Sequence, residues 1–487
     1  MAQLGIKTTT TLTSLALVTT FSASAQMADS RPNILMILSD DHSAAHVGCY
    51  GNRDIVTPNL DKFAGEGIRF NRAYVTSPQS APSRASVMTG RSPIGIDMTR
   101  FYVPLDIEFR TFGEDLRADG YYTGAVGRCH HLDGGFGGLV NHPLEQYLIA
   151  EGLKTMHTRL DYVSECPSND KTSANIHSQF YGFMEARDKD KPFFVQLNYT
   201  DPHRAYTAEK FHDPDKLSLF PQYPDTPGVR ADLAAYYDEI HRLDTDFGEI
   251  MEYLEENNLS ENTIVIFMGD NGGAQFRGKG TLYEWGVNVP LLIRWSGVIE
   301  PGSVSNSIVS AEDLAPTILR AAELDIRPEI TGVDLMPIFK DSEAKVRKYA
   351  YAERGAHGMR LPESSSAFDL QRCVIGERYK LIYNIIPQIP LSPVDFYKMD
   401  FWKQIEQMNE RGELDQKFVD LYFKPTRPFF ELYDLENDPW EFNNLRDDEE
   451  YQEILEELKY EMSHWMIQER DYPPLPISME KNVTHIY

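Results

Sequence analysis

The stretch Ile34-Leu35-Met36-Ile37-Leu38-Ser39-Asp40-Asp41 decides the fold, because five consecutive apolar residues are followed by three polar ones. Three later stretches repeat this design, at residues 121–131, 193–204 and 264–272. A short apolar run without alternation is typical of a strand that is buried on both faces of a sheet. The pattern therefore predicts a central sheet whose strands end in polar residues.

Helical patterns separate these strands. The longest covers residues 231–256, where apolar side chains recur at helical spacing along one face. Alternating strands and helices predict an α/β fold in which a large, mostly parallel sheet lies between helices. Ligands of such sheets bind beyond the carboxyl ends of the strands, so the polar residues there predict one common site.

The pattern of apolar and polar residues changes after residue 365. Residues 372–383 alternate like a β-hairpin, residues 430–435 form another strand pattern, and residues 449–467 form an amphipathic helix. We therefore expect a catalytic domain at 30–365 and a smaller α+β domain with an antiparallel sheet at 366–487.

The N-terminus has the features of an export signal. One lysine precedes a short apolar core at 11–21, and small residues at 22–25 suit a signal peptidase. We expect 1–25 to be a signal peptide, which predicts a periplasmic or secreted protein without a membrane span. Export permits disulfides, but buried free thiols explain the four cysteines equally well.

The net charge of −27 restricts the partners of the protein. So acidic a chain is not expected to bind nucleic acid. An anionic substrate would need a local cluster of basic residues that works against the overall field. The sequence leaves the oligomeric state open.

Two acidic pairs occupy matching positions after two predicted strands. Asp40-Asp41 follows the first run, and Asp270-Asn271 follows the run at 264–268. Carboxylate and amide oxygens suit a hard cation, calcium or magnesium. A single pair would be read as a turn after a strand, whereas two pairs in matching positions favour a metal site.

The segment Ser80-Ala81-Pro82-Ser83-Arg84 suits the start of a helix, because Pro82 has no N–H to lose in the first turn. A helix that starts here would direct free N–H groups and the positive end of its dipole at Ser80. Arg84 follows one turn later. The segment could hold an anion beside a hydroxyl, and an ordinary serine-proline helix cap is an equally good interpretation.

Residues 80–90 resemble the signature of the formylglycine-dependent sulfatases, which belong to the alkaline-phosphatase superfamily. The resemblance covers nearly the whole chain after the signal peptide, in the family's order, and implies an alkaline-phosphatase-like fold and sulfatase activity. It implies that Ser80 is oxidised to formylglycine by a sulfatase-maturating enzyme, of the anaerobic type because the precursor is serine. The expected substrate is a sulfated saccharide.

The resemblance also implies the roles of several residues. Asp40, Asp41, Asp270, Asn271 and residue 80 would bind one Ca²⁺, with Mg²⁺ as the alternative. The implied catalytic residues are Ser80, Arg84, Arg128, His130, His203 and Lys279.

Arg128 departs from the family pattern, which usually has lysine there. Arginine can bind an anion with two parallel hydrogen bonds but does not readily give up a proton. Three further residues are weaker candidates for contact with the sugar: Arg204, His357 and Arg372.

Local runs at 200–204, 230–235 and 423–439 resemble the sulfamidase branch of the family, the N-sulfoglucosamine sulfohydrolases. This resemblance implies an exo-acting enzyme that removes N-sulfate from glucosamine of the heparin or heparan type. Alternatives are an O-sulfatase of another host or algal glycan, a phosphatase or phosphonate hydrolase of the superfamily, and an inactive glycan-binding protein.

Overall fold

We analysed a computed structural model, which describes Met1 and residues 31–134, 143–165, 173–357 and 365–471. The strands are β1 Asn33–Ser39, β2 Ile68–Phe70, β3 Ala73–Tyr74, β4 Tyr122–Gly127, β5 Tyr162–Glu165, β6 Phe193–Asn198, β7 Thr263–Gly269, β8 Leu291–Arg294, β9 Ser303–Ser305, β10 Val309–Ser310, β11 Ala350–Ala356, β12 Phe368–Ile375, β13 Tyr379–Asn384 and β14 Phe430–Asp434. The α-helices are α1 Pro58–Glu66, α2 Ser80–Thr89, α3 Phe112–Ala118, α4 Pro143–Ala150, α5 Met156–Arg159, α6 Ser173–Ala186, α7 Pro227–Glu256, α8 Glu284–Val287, α9 Leu314–Ala321, α10 Met336–Lys340, α11 Asp400–Glu410, α12 Gln416–Tyr422 and α13 Gln452–Gln468.

The central sheet has eight strands in the order β5-β4-β6-β1-β7-β8-β2-β9. The five strands from β5 to β7 run parallel, and β8 is antiparallel to both β7 and β2. The predicted mixed, mostly parallel sheet is therefore confirmed. Since β4, β6, β1 and β7 are neighbours that point the same way, the polar residues that follow them meet at one edge.

Both faces of the sheet are covered, as the unbroken apolar runs predicted. Along β1, Ile34 and Met36 belong to one apolar core, whereas Leu35 and Ile37 belong to a second core on the opposite face. All four side chains are fully buried, and each such burial stabilises the fold by about 1.5–3 kcal/mol. Helix α7 covers the second face through Phe247 and its neighbours on the predicted apolar stripe.

The second sheet is antiparallel and has the order β11-β12-β13-β14. The predicted hairpin is β12 and β13, which pair Cys373 with Ile382. Helix α13 packs against this sheet through buried residues that include Leu458 and Trp465. The sheet begins with β11 at Ala350–Ala356, ahead of the domain boundary expected at residue 366.

Three cysteines are free thiols in the described part of the chain: Cys49, Cys129 and Cys373. Cys166 and the expected signal peptide, apart from Met1, lie outside the described residues. None of the helices in the described ranges combines the length and the apolar character that crossing a bilayer requires.

Candidate active site

The carboxyl ends of three central strands bring the two acidic pairs together. In the register of the sheet, Leu38 of β1 lies beside Asn198 of β6 and Met268 of β7. Asp41 follows β1 in the left-handed backbone region, at φ 65°, which aspartate tolerates better than most residues. Its backbone N–H donates to Asp270 Oδ1 at 3.0 Å, which joins the two strand ends.

Ser80 faces these acids from the first position of α2, where a helix was predicted to start. Its hydroxyl lies 2.9 Å from Asn271 Oδ1 and 3.3 Å from Asp40 Oδ1. The side chain is buried, and every residue of α2 is buried with it. The free N–H groups and the positive end of the helix dipole favour an anion at this point.

Arg84, one helical turn beyond Ser80, connects three strand ends. Its Nε donates to Asp270 at 2.9 Å, and its two terminal nitrogens donate to Asn198 at 2.5 Å and to Asp40 at 3.3 Å. Burial works to lower the pKa of Arg84, but the charges of Asp270 and Asp40 outweigh it and raise that pKa. The guanidinium therefore stays charged in the interior.

Two further cations complete the basic cluster that an acidic chain needs to hold an anion. Lys279 Nζ lies 2.8 Å from Asp41 Oδ1 and 2.9 Å from Asp395 Oδ2. Arg128 Nε lies 3.1 Å from Asp40 Oδ2. Arg84, Arg128 and Lys279 thus surround the acids next to Ser80.

The acids fit a hard cation. Four buried side chains could bind it through carboxylate or amide oxygens, and each is at most 1% exposed: Asp40, Asp41, Asp270 and Asn271. Burial would raise the pKa of Asp40, but Arg128, His203 and Arg84 hold it well below its usual value. Burial raises the pKa of Asp41 to about 8, and the carboxylates of Asp40 and Asp395 contribute to that rise. A divalent cation would relieve this accumulation of negative charge.

His203 reaches the same group of side chains. Its Nε2 lies 3.8 Å from Asp41 Oδ2, and one donor atom each of Asp40, Asp41 and His203 lie within 4.8 Å of one another. Burial, with the charges of Lys279 and Arg128, lowers the pKa of His203 well below its usual value. The side chain of His130 lies outside the described part of the structure.

The three candidates for sugar contact lie in different surroundings. His357 is close to the site, since its Nε2 lies 3.5 Å from Asp395 and its Nδ1 lies 3.3 Å from Gln79 Nε2. Arg204 instead forms a two-pronged ion pair with Asp232, at 2.5 Å for each pair of atoms. Arg372 forms an ion pair with Asp471.

Sequence reasoning missed Asp395 and Gln79. Asp395 lies in the loop between β13 and α11 and contacts Lys279, but one aspartate among 74 acidic residues gives no signal. Gln79 directly precedes Ser80, and its side-chain amide donates to the carbonyl of Ala356 at 3.0 Å. Its position directly before Ser80 was the only hint available.

Together, the alkaline-phosphatase-like sheet and the buried serine among acids and cations define a hydrolase of anionic esters or amides. The sulfatase family model matches residues 32–324, which is more than half of the chain. The chain belongs to the sulfatase family, and is a hydrolase of sulfuric esters or sulfamates. A second model, the C-terminal domain of N-sulphoglucosamine sulphohydrolase, matches residues 272–388.

Individual relatives agree with this assignment. The chain is 26% identical to an ulvan-active sulfatase of Formosa agariphila, over 92% of this chain and 77% of that protein. It is also 26% identical to human N-sulphoglucosamine sulphohydrolase, over 90% of both chains. A solved complex with the substrate D-glucosamine-2-N,6-O-disulfate has the same fold, with a TM-score of 0.67 and 21% identity over 92% of this chain and 100% of that one.

Proposed function

We propose that this protein is an exo-acting sulfatase of sulfated carbohydrates, which uses a formylglycine made from Ser80 and one bound Ca²⁺, or alternatively Mg²⁺. N-sulfated glucosamine of the heparin or heparan type is the proposed substrate. One observation carries the proposal: the Ser80 hydroxyl lies 2.9 Å from Asn271 and 3.3 Å from Asp40, at a helix start beside Arg84. The residue to be modified therefore adjoins both the oxygen donors and the cations.

Asp40, Asp41, Asp270, Asn271 and residue 80 would hold the cation. When bound, a divalent cation lowers the pKa of a hydroxyl next to it and withdraws charge from the sulfuryl oxygens. Hydrated formylglycine would supply two hydroxyls on one carbon, one to attack sulfur and the other to release sulfate without help from water. An unmodified serine lacks that second hydroxyl.

The charged side chains of the protein then act on the sulfate and on the leaving group. Arg84, Lys279 and Arg128 carry the positive charge that can stabilise the sulfuryl oxygens as negative charge builds on them. As the bond from sulfur to nitrogen or oxygen breaks, His203 donates a proton to the departing atom, with Lys279 assisting. His130 would accept the proton of the second hydroxyl.

His203 needs a bound anion to perform this step. Burial and the charges of Lys279 and Arg128 lower the pKa of His203, which favours the neutral ring. A substrate sulfate among these cations would offset their charge and raise the pKa of His203. The group would thereby gain its proton when the substrate is present.

The match to the C-terminal domain of N-sulphoglucosamine sulphohydrolase supports N-sulfated glucosamine. The human enzyme of that name aligns over 90% of this chain. O-sulfated glycans are the competing substrates, because an ulvan-active sulfatase is a relative of equal identity. A panel of N-, 2-O-, 3-O- and 6-O-sulfated saccharides distinguishes the two, and turnover of the O-sulfates alone would refute the substrate proposal.

The modification requires a sulfatase-maturating enzyme as a transient partner. We also propose that residues 1–25 direct export, so that the enzyme meets its substrate in the periplasm or outside the cell. Mass spectrometry of the Ser80 peptide, from protein made in its native host, tests the modification, since oxidation removes two hydrogens. Unmodified serine in an active preparation would overturn the mechanism.

The variant Ser80→Ala provides the first functional prediction. Turnover should be abolished, while Ca²⁺ still binds because the four acidic and amide donors remain. Activity is followed as sulfate release, and Ca²⁺ binding is measured by titration calorimetry. Ser86→Ala is the matched control, since Ser86 lies on the same helix, is fully buried and has no hydrogen-bond partner for its hydroxyl within the described residues. Residual turnover in Ser80→Ala would contradict the mechanism.

A further inference from the structure

Asp395 is an acid within a site built for an anion. Its Oδ2 lies 2.9 Å from Lys279 Nζ and 4.0 Å from His203 Nε2, and its Oδ1 lies 3.5 Å from His357 Nε2. The side chain is 26% exposed, whereas Asp40 and Asp41 are fully buried. Asp395 is therefore the most accessible of these three acids.

The position of Asp395 relative to the reaction follows from its neighbours. In the proposed mechanism, His203 and Lys279 face the atom that leaves sulfur. Asp395 contacts Lys279 and lies beside His203, so its carboxylate belongs to the leaving-group side of the site. The Ser80 hydroxyl instead contacts Asp40 and Asn271.

A carboxylate at this position affects two kinds of leaving group differently. When an O–S bond breaks, the departing oxygen gains negative charge before it is protonated, and a neighbouring anion opposes that change. When an N–S bond breaks, the lone pair of the nitrogen takes the proton of His203 while sulfur is still attached, so the nitrogen carries positive charge, which a carboxylate stabilises, until the bond has broken and it leaves as a neutral amine. A second proton from water turns an amine of this kind into an ammonium ion near neutral pH, as for an α-amino group. A carboxylate stabilises that cation.

We propose that Asp395 is a specificity-determining residue that favours N-sulfated glucosamine by binding the amino group released from it. The inference rests on the proposed function and deepens it, because it assigns the choice between N–S and O–S cleavage to one side chain. The backbone conformation also fixes the position of Asp395. It lies at φ 67° in the left-handed region, in a tight turn where Phe396 N–H donates to the carbonyl of Val394 at 2.8 Å.

A purely positioning role for Asp395 makes a different prediction. If it served only to orient Lys279, its loss would lower the turnover of N-sulfated and O-sulfated substrates by the same factor. If Asp395 recognises the amine, its loss lowers the turnover of the N-sulfated substrate more than that of the O-sulfated one. The ratio of the two kcat/KM values therefore separates the roles.

The first experiment compares N-sulfated glucosamine with an O-sulfated saccharide in wild type, Asp395→Asn and Asp395→Glu. We expect Asp395→Asn to lower kcat/KM for the N-sulfate about tenfold more than for the O-sulfate, as for the loss of one charge-assisted hydrogen bond. Asp395→Glu should recover part of the preference. Asp400→Asn is the control, since its carboxylate is fully exposed on α11. Equal losses for both substrates would overturn the proposal.

The second experiment is independent of turnover. Titration calorimetry at pH 6.5 compares the affinity for D-glucosamine with that for D-glucose, which has a hydroxyl in place of the amino group. Wild type should bind glucosamine about tenfold more tightly, and Asp395→Asn should bind both sugars alike. Equal binding by wild type refutes recognition of the amine. If glucosamine binding depends on Asp395 but only O-sulfates are hydrolysed, the proposed substrate and the role of Asp395 in selecting it both fail, while the binding of an amino group by Asp395 stands.

Discussion

This protein has two clusters in which cations and carboxylates lie together in the interior, and the two clusters differ in the oxygens that they contain. The nucleophile cluster comprises Ser80, Arg84, Asp40, Asp41, Asp270 and Lys279. The lysine cluster comprises Lys380, Glu284 and Glu441, where Lys380 Nζ lies 2.8 Å from Glu284 and 2.9 Å from Glu441. In each cluster, cations and carboxylates are largely withdrawn from water, although the Glu284 side chain is 20% exposed. Such withdrawal is costly unless the charges are paired.

The carboxylates of both clusters accept hydrogen bonds from the protein, and the clusters differ in the oxygens that they bring together. In the lysine cluster, the carboxylates also accept hydrogen bonds from the protein: Tyr74 donates to Glu284 at 3.2 Å, and the backbone N–H of Glu284 donates to Glu441 at 2.7 Å. In the nucleophile cluster, burial and neighbouring acids raise the pKa of Asp41 to about 8 even with Lys279 beside it. Burial also raises the pKa of Glu441 in the lysine cluster. The nucleophile cluster differs in that three carboxylates meet at one edge of the sheet, beside the Asn271 amide oxygen that contacts Ser80, and such a set of oxygens suits an added hard cation.

The largest expected effect comes from breaking the nucleophile cluster with Asp41→Asn. Turnover should fall more than about a thousandfold, since the proposed cation would stabilise the transition state by several kcal/mol. Calcium at a hundred times its Kd should stabilise wild type by about 2.7 kcal/mol and the variant much less. Sulfate release and thermal unfolding with and without calcium measure the two effects. Full calcium stabilisation in the variant would show that Asp41 is no ligand.

The next effect concerns stability. Lys380→Met leaves Glu284 and Glu441 without their cation and should lower the free energy of unfolding by about 3–5 kcal/mol. Urea unfolding measures this change. The control is Lys345→Met, because Lys345 is 65% exposed and pairs with the exposed Glu377. That surface pair should contribute no more than about 1 kcal/mol. Similar losses in the two variants would contradict the distinction between the buried and the surface pair.

The sequence predicted the framework of the nucleophile cluster because its physical signals are local. The apolar run at 34–38 specifies a strand buried on both faces, and its polar end specifies an edge of the sheet. Pro82 marks the start of α2, and a parallel sheet then brings distant strand ends together. These rules were sufficient to predict that Asp40 and Asp270 would meet at one edge.

Other contacts depend on packing between segments that are remote in the chain, and no local pattern encodes them. Asp395 reaches Lys279 from an irregular loop that follows the second sheet. Arg204 pairs with Asp232, 28 residues further along the chain. The beginning of the second sheet at β11 was also missed, since a strand that pairs with a later hairpin carries no mark of its sheet.

Glu353 extends the comparison, because it is a buried carboxylate that forms no ion pair with the described residues. It lies on β11 opposite Arg372, whose guanidinium is paired with Asp471. Its side chain is fully buried, and neither oxygen accepts a hydrogen bond of ordinary geometry from the described residues. Burial raises the pKa of Glu353 to about 8, although the positive charge of Arg372 acts to lower it.

The smallest of these effects should appear as a pH dependence of stability in Glu353→Gln. The folded protein holds this proton up to about pH 8, because burial raises the pKa of Glu353, whereas the unfolded chain releases it near the ordinary pKa of 4.5. Between these values the unfolded state binds fewer protons, so stability falls as the pH rises. Between pH 5 and 8, the free energy of unfolding measured in urea should fall in both proteins. The fall should be larger in wild type than in Glu353→Gln, by about 1–3 kcal/mol. The exposed Glu300→Gln should follow wild type, and parallel curves for Glu353→Gln and wild type would mean that Glu353 is ionised in the fold.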